Sequence, residues 1–381
     1  MKIILITSKF DFESGGGSST ELDQKARSLQ EKGYEVEVIT AFSKGNKPYN
    51  LLYKVHEENV DSSSLFSIQK GIYEILKKYE AQTNIFHIEG QFSYGGGIYK
   101  MKKGKIPIVV HFNRELSSFP DTRHSAKNGI KQKFRLSLER LFGFPLINNC
   151  NAFTFTSPYI KAVYNKYGLS EDKSSVVPDF FDELEVLESK DLSSMLLESR
   201  KKEKQIIQIL STGRMVKEKG FDVLIKAFAK LNNKENFKLI ISGDGPQKDS
   251  LSKLARELGI EKYIEFPGWI EKQDLSKLFQ ESDIFVLPRW RPELTSMLVL
   301  EAMAFAIPMI VTKDTALSWQ TQDSALLFED ENSDDLSNQI TTMASDSNKR
   351  FSLASKGIKR LKELDYHNSV DKLNGILEKL K

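Results

Sequence analysis

Short runs of β-branched and aliphatic residues alternate along almost the whole chain with stretches whose apolar positions return at helical spacing. A first series of strands is predicted over Ile3–Thr7, Glu35–Thr40, Ile85–Ile88, Ile106–His111 and Ala152–Thr156. A second covers Ile206–Leu210, Lys238–Ile241, Tyr263–Phe266, Ile284–Leu287 and Pro308–Val311. Helices are predicted between them, among others over Thr20–Lys32, Ile130–Phe142, Gly220–Leu231, Asp249–Leu258 and Thr295–Phe305, and a last one from Leu361 to Lys381. Near-continuously apolar strands that alternate with helices imply parallel sheets covered on both faces, an α/β doubly wound architecture. From Val177 to Lys204 charge and serine are dense and strand patterning stops. The expected organisation is an N-terminal domain over 1–180, a linker over 181–205, a C-terminal domain over 206–355, and closing helices over 356–381. A return of those helices to the first domain is left open.

Composition sets limits more than it suggests chemistry. The 381 residues are 40% hydrophobic and 28% charged, which excludes collagen-like and largely disordered chains. The 55 Lys and Arg nearly balance the 52 Asp and Glu, so a nucleic-acid partner is not expected. The single cysteine, Cys150, excludes an internal disulfide and reads as a small core residue. Only Ile3–Ile6 precede the first polar run, whereas a secretory signal needs about 7–15 apolar residues. The longest apolar stretch, Ala302–Val311, contains Pro308 and is far short of the ~20 residues that span a bilayer. A cytoplasmic protein is expected, with peripheral attachment at the inner membrane face left open.

Several segments point to phosphate. Gly15-Gly16-Gly17-Ser18-Ser19-Thr20 follows the first strand and opens a helix, where glycines let backbone approach a ligand and free N–H groups meet an anion. It lacks the G-x-G-x-x-G spacing of a dinucleotide site, so a plain turn is equally open. In the second domain, Ser211-Thr212-Gly213-Arg214 ends the first strand and Lys217-Glu218-Lys219-Gly220 precedes the next helix. Doubly wound sheets bind ligands at the carboxyl ends of their strands, so Arg214 and Lys219 project where a diphosphate would sit. Two cations there could neutralise a diphosphate leaving group without a metal. Ser242-Gly243-Asp244-Gly245-Pro246 is a tight turn before a proline-started helix.

The strongest constellation is Pro292-Glu293-Leu294-Thr295-Ser296-Met297-Leu298-Val299-Leu300-Glu301. Helical spacing would set the two carboxylates ~12 Å apart on similar faces. A carboxylate accepts two hydroxyl hydrogen bonds, so each suits a vicinal diol, and amides near Thr295 and Ser296 between them suit an anion. Diol, diphosphate, diol is the outline of a nucleotide-sugar.

Together these segments resemble the retaining glycosyltransferases of family four, the group-one glycosyl transferases of GT-B fold. The resemblance rests on Gly16-Gly17, Gly33 through Thr40, Val176-Val177-Pro178-Asp179, Gly213-Arg214 with Lys219-Gly220, and Gly243 through Pro246. It continues in Glu293 to Glu301 with Ala302-Met303-Ala304, and in Asp365-Tyr366-His367. It implies two Rossmann-like domains facing across a cleft and transfer of a hexose, with retention, from a nucleotide-diphosphate sugar. UDP is preferred to GDP, and no cofactor or metal is implied. Arg214 and Lys219 are implied to hold the diphosphate, Glu301 the ribose, and Glu293 the transferred sugar. Gly16, Gly17, Gly213, Gly243, Leu294, Thr295 and Ser296 are implied to line the donor, with the base against Trp269 and Ile270.

The chain also departs from the family pattern. Asn113 stands where a histidine is frequent, with His111 two residues earlier on the same strand face, and either is a candidate catalytic residue. Glu89 replaces a second histidine, Asp179-Phe180-Phe181 replaces Asn-Gly, and a glycine pair after Val311-Thr312 is missing. A catalytically inactive GT-B module that binds nucleotide or scaffolds a complex is therefore the alternative. The acceptor is left as a saccharide, a lipid-linked sugar or a small molecule. Residues 101–140 carry ten Lys and Arg against three Asp and Glu, with Ile130, Phe134, Leu138, Leu141 and Phe142 at helical spacing. That segment reads either as a domain helix with a solvated basic face or as a dock for anionic lipid.

Overall fold

A computed structural model describes residues 1–10, 17–42, 51–113, 134, 136–182, 187, 190–288 and 295–381. It divides into two compact units, one of Met1–Phe181 with Asp365–Lys381, the other of Asp182–Leu364.

The first unit is built on a parallel sheet of β1 (Lys2–Thr7), β2 (Glu35–Thr40), β3 (Lys54–Glu57), β4 (Ile85–Glu89), β5 (Ile108–Phe112), β6 (Ala152–Phe155) and β7 (Ser174–Val176). Their order across the sheet is β3-β2-β1-β4-β5-β6-β7. Successive side chains point to opposite faces, and each face has its own apolar layer. Ile4, Ile6, Phe86, Ile88 and Val110 pack with Ile72 and Leu76 of α2 (Leu65–Tyr79) and Tyr99 of α3 (Ser93–Met101). Ile3, Leu5, Val36, Val38, Ile85 and Val109 pack with Leu22, Ala26 and Leu29 of α1 (Gly17–Glu31). The closing helix, Tyr366–Glu378, completes that second layer with Val370, Leu373 and Leu377. The Tyr34 hydroxyl donates to Asn374 and, at 2.8 Å, to Glu378 Oε1, fastening this helix to the β2 side of the layer. Cys150 lies in the core, where burial pushes its thiol up to about 12.

The α4 helix (Phe144–Ile147) and the π-helical turn before it, Glu139–Gly143, bear on the segment left open as a domain helix or a lipid dock. Its apolar stripe faces outward: Phe134, Leu138, Leu141 and Phe142 are 66%, 41%, 66% and 69% exposed. Leu136, Phe144 and Ile147 make the core contacts instead. Ile130 and most of the basic residues lie outside the described residues. The α5 helix (Pro158–Lys166) is capped by Ser157, whose hydroxyl accepts from the Ile160 amide.

The second unit has a parallel sheet of β8 (Ile207–Thr212), β9 (Phe237–Ser242), β10 (Ile264–Gly268), β11 (Ile284–Leu287), β12 (Met309–Thr312) and β13 (Ala325–Phe328), in the order β10-β9-β8-β11-β12-β13. The helices are α6 (Lys190–Ser199), α7 (Phe221–Ala229), α8 (Lys248–Glu257), α9 (Lys272–Glu281), α10 (Met297–Ala304), α11 (Ala316–Thr321), α12 (Ser333–Ala344) and α13 (Ser347–Glu363). Ile209, Ile241, Val286 and Ile310 of four adjacent strands pack with Leu224 and Phe228 of α7 and Leu336 of α12. Asn332 caps α12 by accepting from the Asp334 and Asp335 amides.

The segment expected as a linker contains α6 and a buried anchor. Arg200 is 3% exposed and donates to the carbonyls of Ala306, Ser282 and Phe305 at 2.9, 2.6 and 3.3 Å. Burial lowers its guanidinium to about 10, partly offset by Asp283. The helix predicted from Leu361 to Lys381 breaks at Leu364 and Asp365, and α13 and the closing helix fall in different units.

Candidate functional site

In both sheets the strand order reverses beside the first strand of the unit, the arrangement that opens a ligand crevice at the carboxyl ends. In the second unit the reversal lies between β8 and β11. The turns after β8, β9 and β11 meet there backbone to backbone. Gly220 has φ +66°, and a Cβ on it would lie 1.8 Å from the Pro288 carbonyl oxygen. Gly243 has φ +122°, and a Cβ there would lie 2.1 Å from the Gly213 carbonyl oxygen. No side chain fits at either place, so the floor of the crevice is bare backbone.

Arg214 and Lys219 rise from this floor. Arg214 is exposed and Lys219 half-buried, its Cε 3.5 Å from where a Cβ on Gly213 would stand. The Gly243 amide donates to the Gly268 carbonyl at 2.7 Å, which joins the β9 turn to the end of β10. Trp269 follows and is 57% exposed, so it is not a core residue; Ile270 is half-buried. Glu301 lies in α10, half-buried, and among the described residues nothing donates to its carboxylate. Burial pushes it up to about 7, opposed by the Lys272 ammonium.

One expectation needs correction. The Ser296 amide is not open to an anion: it donates to Gln320 Oε1 at 2.9 Å, and Gln320 Nε2 donates to the Ser296 carbonyl at 3.1 Å. Val299 donates to the same carbonyl at 3.1 Å, so helical geometry leaves the Met297 and Leu298 amides of the first turn. Thr295 is half-buried just before the cap. Glu293, Leu294 and Gly16 lie outside the described residues, and Gly17 is the first residue of α1.

In the first unit, strand parity sends His87 and His111 to the α1 side, next to Ile85 and Val109. The rings lie 5.7 Å apart, and His111 is 3% exposed. Lys25 and Glu21 of α1 form a buried pair at 2.8 Å over them, and the Lys25 ammonium sits 5.1 Å from the Phe180 ring. Burial, then Lys25, holds both imidazoles well below their usual range. A neutral, sealed His111 fits a structural role. Asn113, half-buried just past the strand, is the more accessible of the two candidates. Glu89 is held by the Thr7 hydroxyl and by Gln91. The buried Glu21–Lys25 pair and the Gln320 clamp were not anticipated. The i,i+4 spacing of Glu21 and Lys25 was readable, but spacing does not tell a buried pair from a solvated one.

Comparison with known proteins agrees with this geometry. The family described as Glycosyltransferase Family 4 matches residues 15–183, and the one described as Glycosyl transferases group 1 matches residues 196–360. The chain belongs to the family-four glycosyltransferases of GT-B fold. It is 23% identical over 334 residues to an uncharacterised glycosyltransferase of Methanocaldococcus jannaschii, covering 82% of this chain and 80% of that one. It is 27% identical over 320 residues to the N-acetyl-alpha-D-glucosaminyl L-malate synthase of Bacillus anthracis, covering 79% and 77%. Among solved structures, Anabaena HepE in complex with UDP-glucose superposes with a TM-score of 0.77 at 18% identity, covering 100% of both chains.

Proposed function

We propose that this glycosyltransferase takes a hexose from a nucleotide-diphosphate sugar, UDP rather than GDP, and joins it to an acceptor hydroxyl with retention of configuration, in glycan or glycolipid assembly. The observation that carries the donor part is the strand order of the second unit, with Arg214 and Lys219 leaving β8 beside the strand that leads to α10. Their two charges suit a diphosphate, the Met297 and Leu298 amides suit its oxygens, and the Glu301 carboxylate suits the ribose diol. The exposed ring of Trp269 offers a face to the base. That Anabaena HepE holds UDP-glucose supports the choice of nucleotide.

In the reaction, the bond from the anomeric carbon to the diphosphate oxygen breaks, and the bond to the acceptor oxygen forms on the same face. The acceptor proton passes to the departing phosphate. Arg214 and Lys219 take up the developing charge in place of a metal ion. Glu293 meets the transferred sugar. The outward stripe of Phe134, Leu138, Leu141 and Phe142, in a segment rich in Lys and Arg, supports peripheral contact with an anionic membrane.

The test is calorimetry with UDP and GDP, then a donor-hydrolysis screen over nucleotide sugars. UDP binding that Glu301→Ala weakens, with turnover of at least one sugar, is expected. Binding without turnover for every donor and acceptor would favour the inactive module, a reading that the sealed His111 and the Asn113 beside it support.

A further inference from the structure

The α10 helix is held from outside at both ends. At its carboxyl end Arg200 donates to the Phe305 and Ala306 carbonyls. At its amino end the Gln320 side-chain amide takes both backbone groups of the cap residue, Ser296. Gln320 is 2% exposed and Ser296 7%, so water does not compete for these bonds. Gln320 is itself anchored: Arg360 of α13 donates to its carbonyl at 3.0 Å and to the Trp319 carbonyl at 3.2 Å. The guanidinium lies 5.4 Å from the centre of the Trp319 ring.

A side-chain amide paired with both the N–H and the C=O of one residue fixes the plane of the peptides on either side of it. At Ser296 that sets the direction of the next amides, Met297 and Leu298, and the depth of Glu301 further along the helix. The Ser296 side chain makes no capping bond of its own. We infer that Gln320 is a positioning residue for the donor: through Ser296 it aims the first turn of α10 at the diphosphate and holds Glu301 at the ribose, with Arg360 bracing it from behind. This rests on the reading of α10 as the donor helix.

The test compares UDP and GDP affinity, donor KM and kcat, and thermal stability in the wild type, Gln320→Leu, Gln320→Glu and Glu301→Ala. Leucine removes both bonds, leaving the buried Ser296 N–H unpaired and the Ser296 carbonyl with Val299 alone, so UDP affinity should fall about tenfold, with donor KM rising more than kcat falls. Glutamate keeps an acceptor for the Ser296 amide but can donate to the Ser296 carbonyl only when protonated. The ratio of its UDP Kd to that of the wild type should therefore shrink toward one as pH is lowered, while the ratio for leucine stays level. A purely structural Gln320 would lower the melting temperature of both variants and leave Kd and KM within twofold of the wild type at every pH, which overturns the inference. If Gln320→Leu does not fold, the pH dependence of the glutamate ratio decides alone. If Glu301→Ala binds UDP as the wild type does, or the wild type binds neither nucleotide, the donor reading fails and takes the inference with it. A Glu301→Ala defect beside normal Gln320 variants defeats only the positioning role.

Discussion

A hydrogen bond of 2.9 Å joins His111 Nδ1 to Thr154 Oγ1 and leaves His111 Nε2 4.0 Å from Glu21 Oε1, in a place solvent barely reaches. The His87 ring lies beside it, tilted by 31°, and burial together with the Lys25 ammonium disfavours a proton on either ring. An unfolded chain protonates both near pH ~6.5, and the folded one does not. Below that pH the unfolded state binds more protons, so stability falls as pH drops, by up to about 1.4 kcal/mol per pH unit for each ring. Above it the contribution is level. Chemical denaturation between pH 5 and 8 should give a shallower acid slope for His87→Leu than for the wild type, and equal slopes would contradict this account.

Glu301, read as the ribose ligand, predicts a pH dependence of the same sign in binding. In the proposed function its ionised carboxylate accepts both ribose hydroxyls, and burial has raised it to about 7. UDP affinity should rise with pH through neutrality and level off above it. Glu301→Gln should bind more weakly and lose that rise, measurable by calorimetry in buffers of matched ionic strength.

Gly220→Ala places a methyl group against the Pro288 carbonyl and a side chain at φ +66°. The turn must move, at a cost of about 1–3 kcal/mol in backbone strain alone. A lowered melting temperature is expected together with weaker UDP binding, because Lys219 adjoins the displaced residue. Gly259→Ala serves as the control: its φ is +65°, but nothing lies within 4 Å of the added carbon. It should lose stability and keep UDP affinity.

Arg200→Met removes the guanidinium from three buried carbonyls and leaves Asp283 beside Lys204. A loss of roughly 3 kcal/mol is expected by analogy with other broken buried ionic networks. Denaturant melts followed by Trp fluorescence would measure it.

Vesicle sedimentation checks the outward stripe. Binding to vesicles containing phosphatidylglycerol, absent from neutral phosphatidylcholine vesicles and weakened by salt, is expected. Leu141→Ser with Phe142→Ser should reduce it without lowering the melting temperature, because both residues are exposed. Binding that is indifferent to lipid charge and to these changes would remove the membrane from the proposal.

Much of the fold was legible. Ile284–Leu287 stands where its unbroken apolar run put it, because a strand covered on both faces must be apolar throughout. Lys54–Glu57 and Ser174–Val176 escaped notice because edge strands are paired on one side only and tolerate polar residues. Arg214, Lys219 and Glu301 could be singled out as candidates because the groups beyond a strand end lie close together in sequence, in the turn after β8 and along α10.

The sequence by itself determined the two doubly wound sheets and the residue types at their carboxyl ends. Periodicity records which side of each element is apolar, and turn chemistry is local. Tertiary structure alone decided what covers each side and which polar groups are already taken. Ser296 looked like an open helix terminus until Gln320 proved to occupy it, and the stripe of Phe134, Leu138, Leu141 and Phe142 stood open between a packing face and a dock until it was found uncovered. His111 had a face assigned by strand parity, but only the fold brought Glu21 and Lys25 onto it. Contacts between elements distant in the chain depend on how those elements are placed against one another, and spacing within one element does not record that.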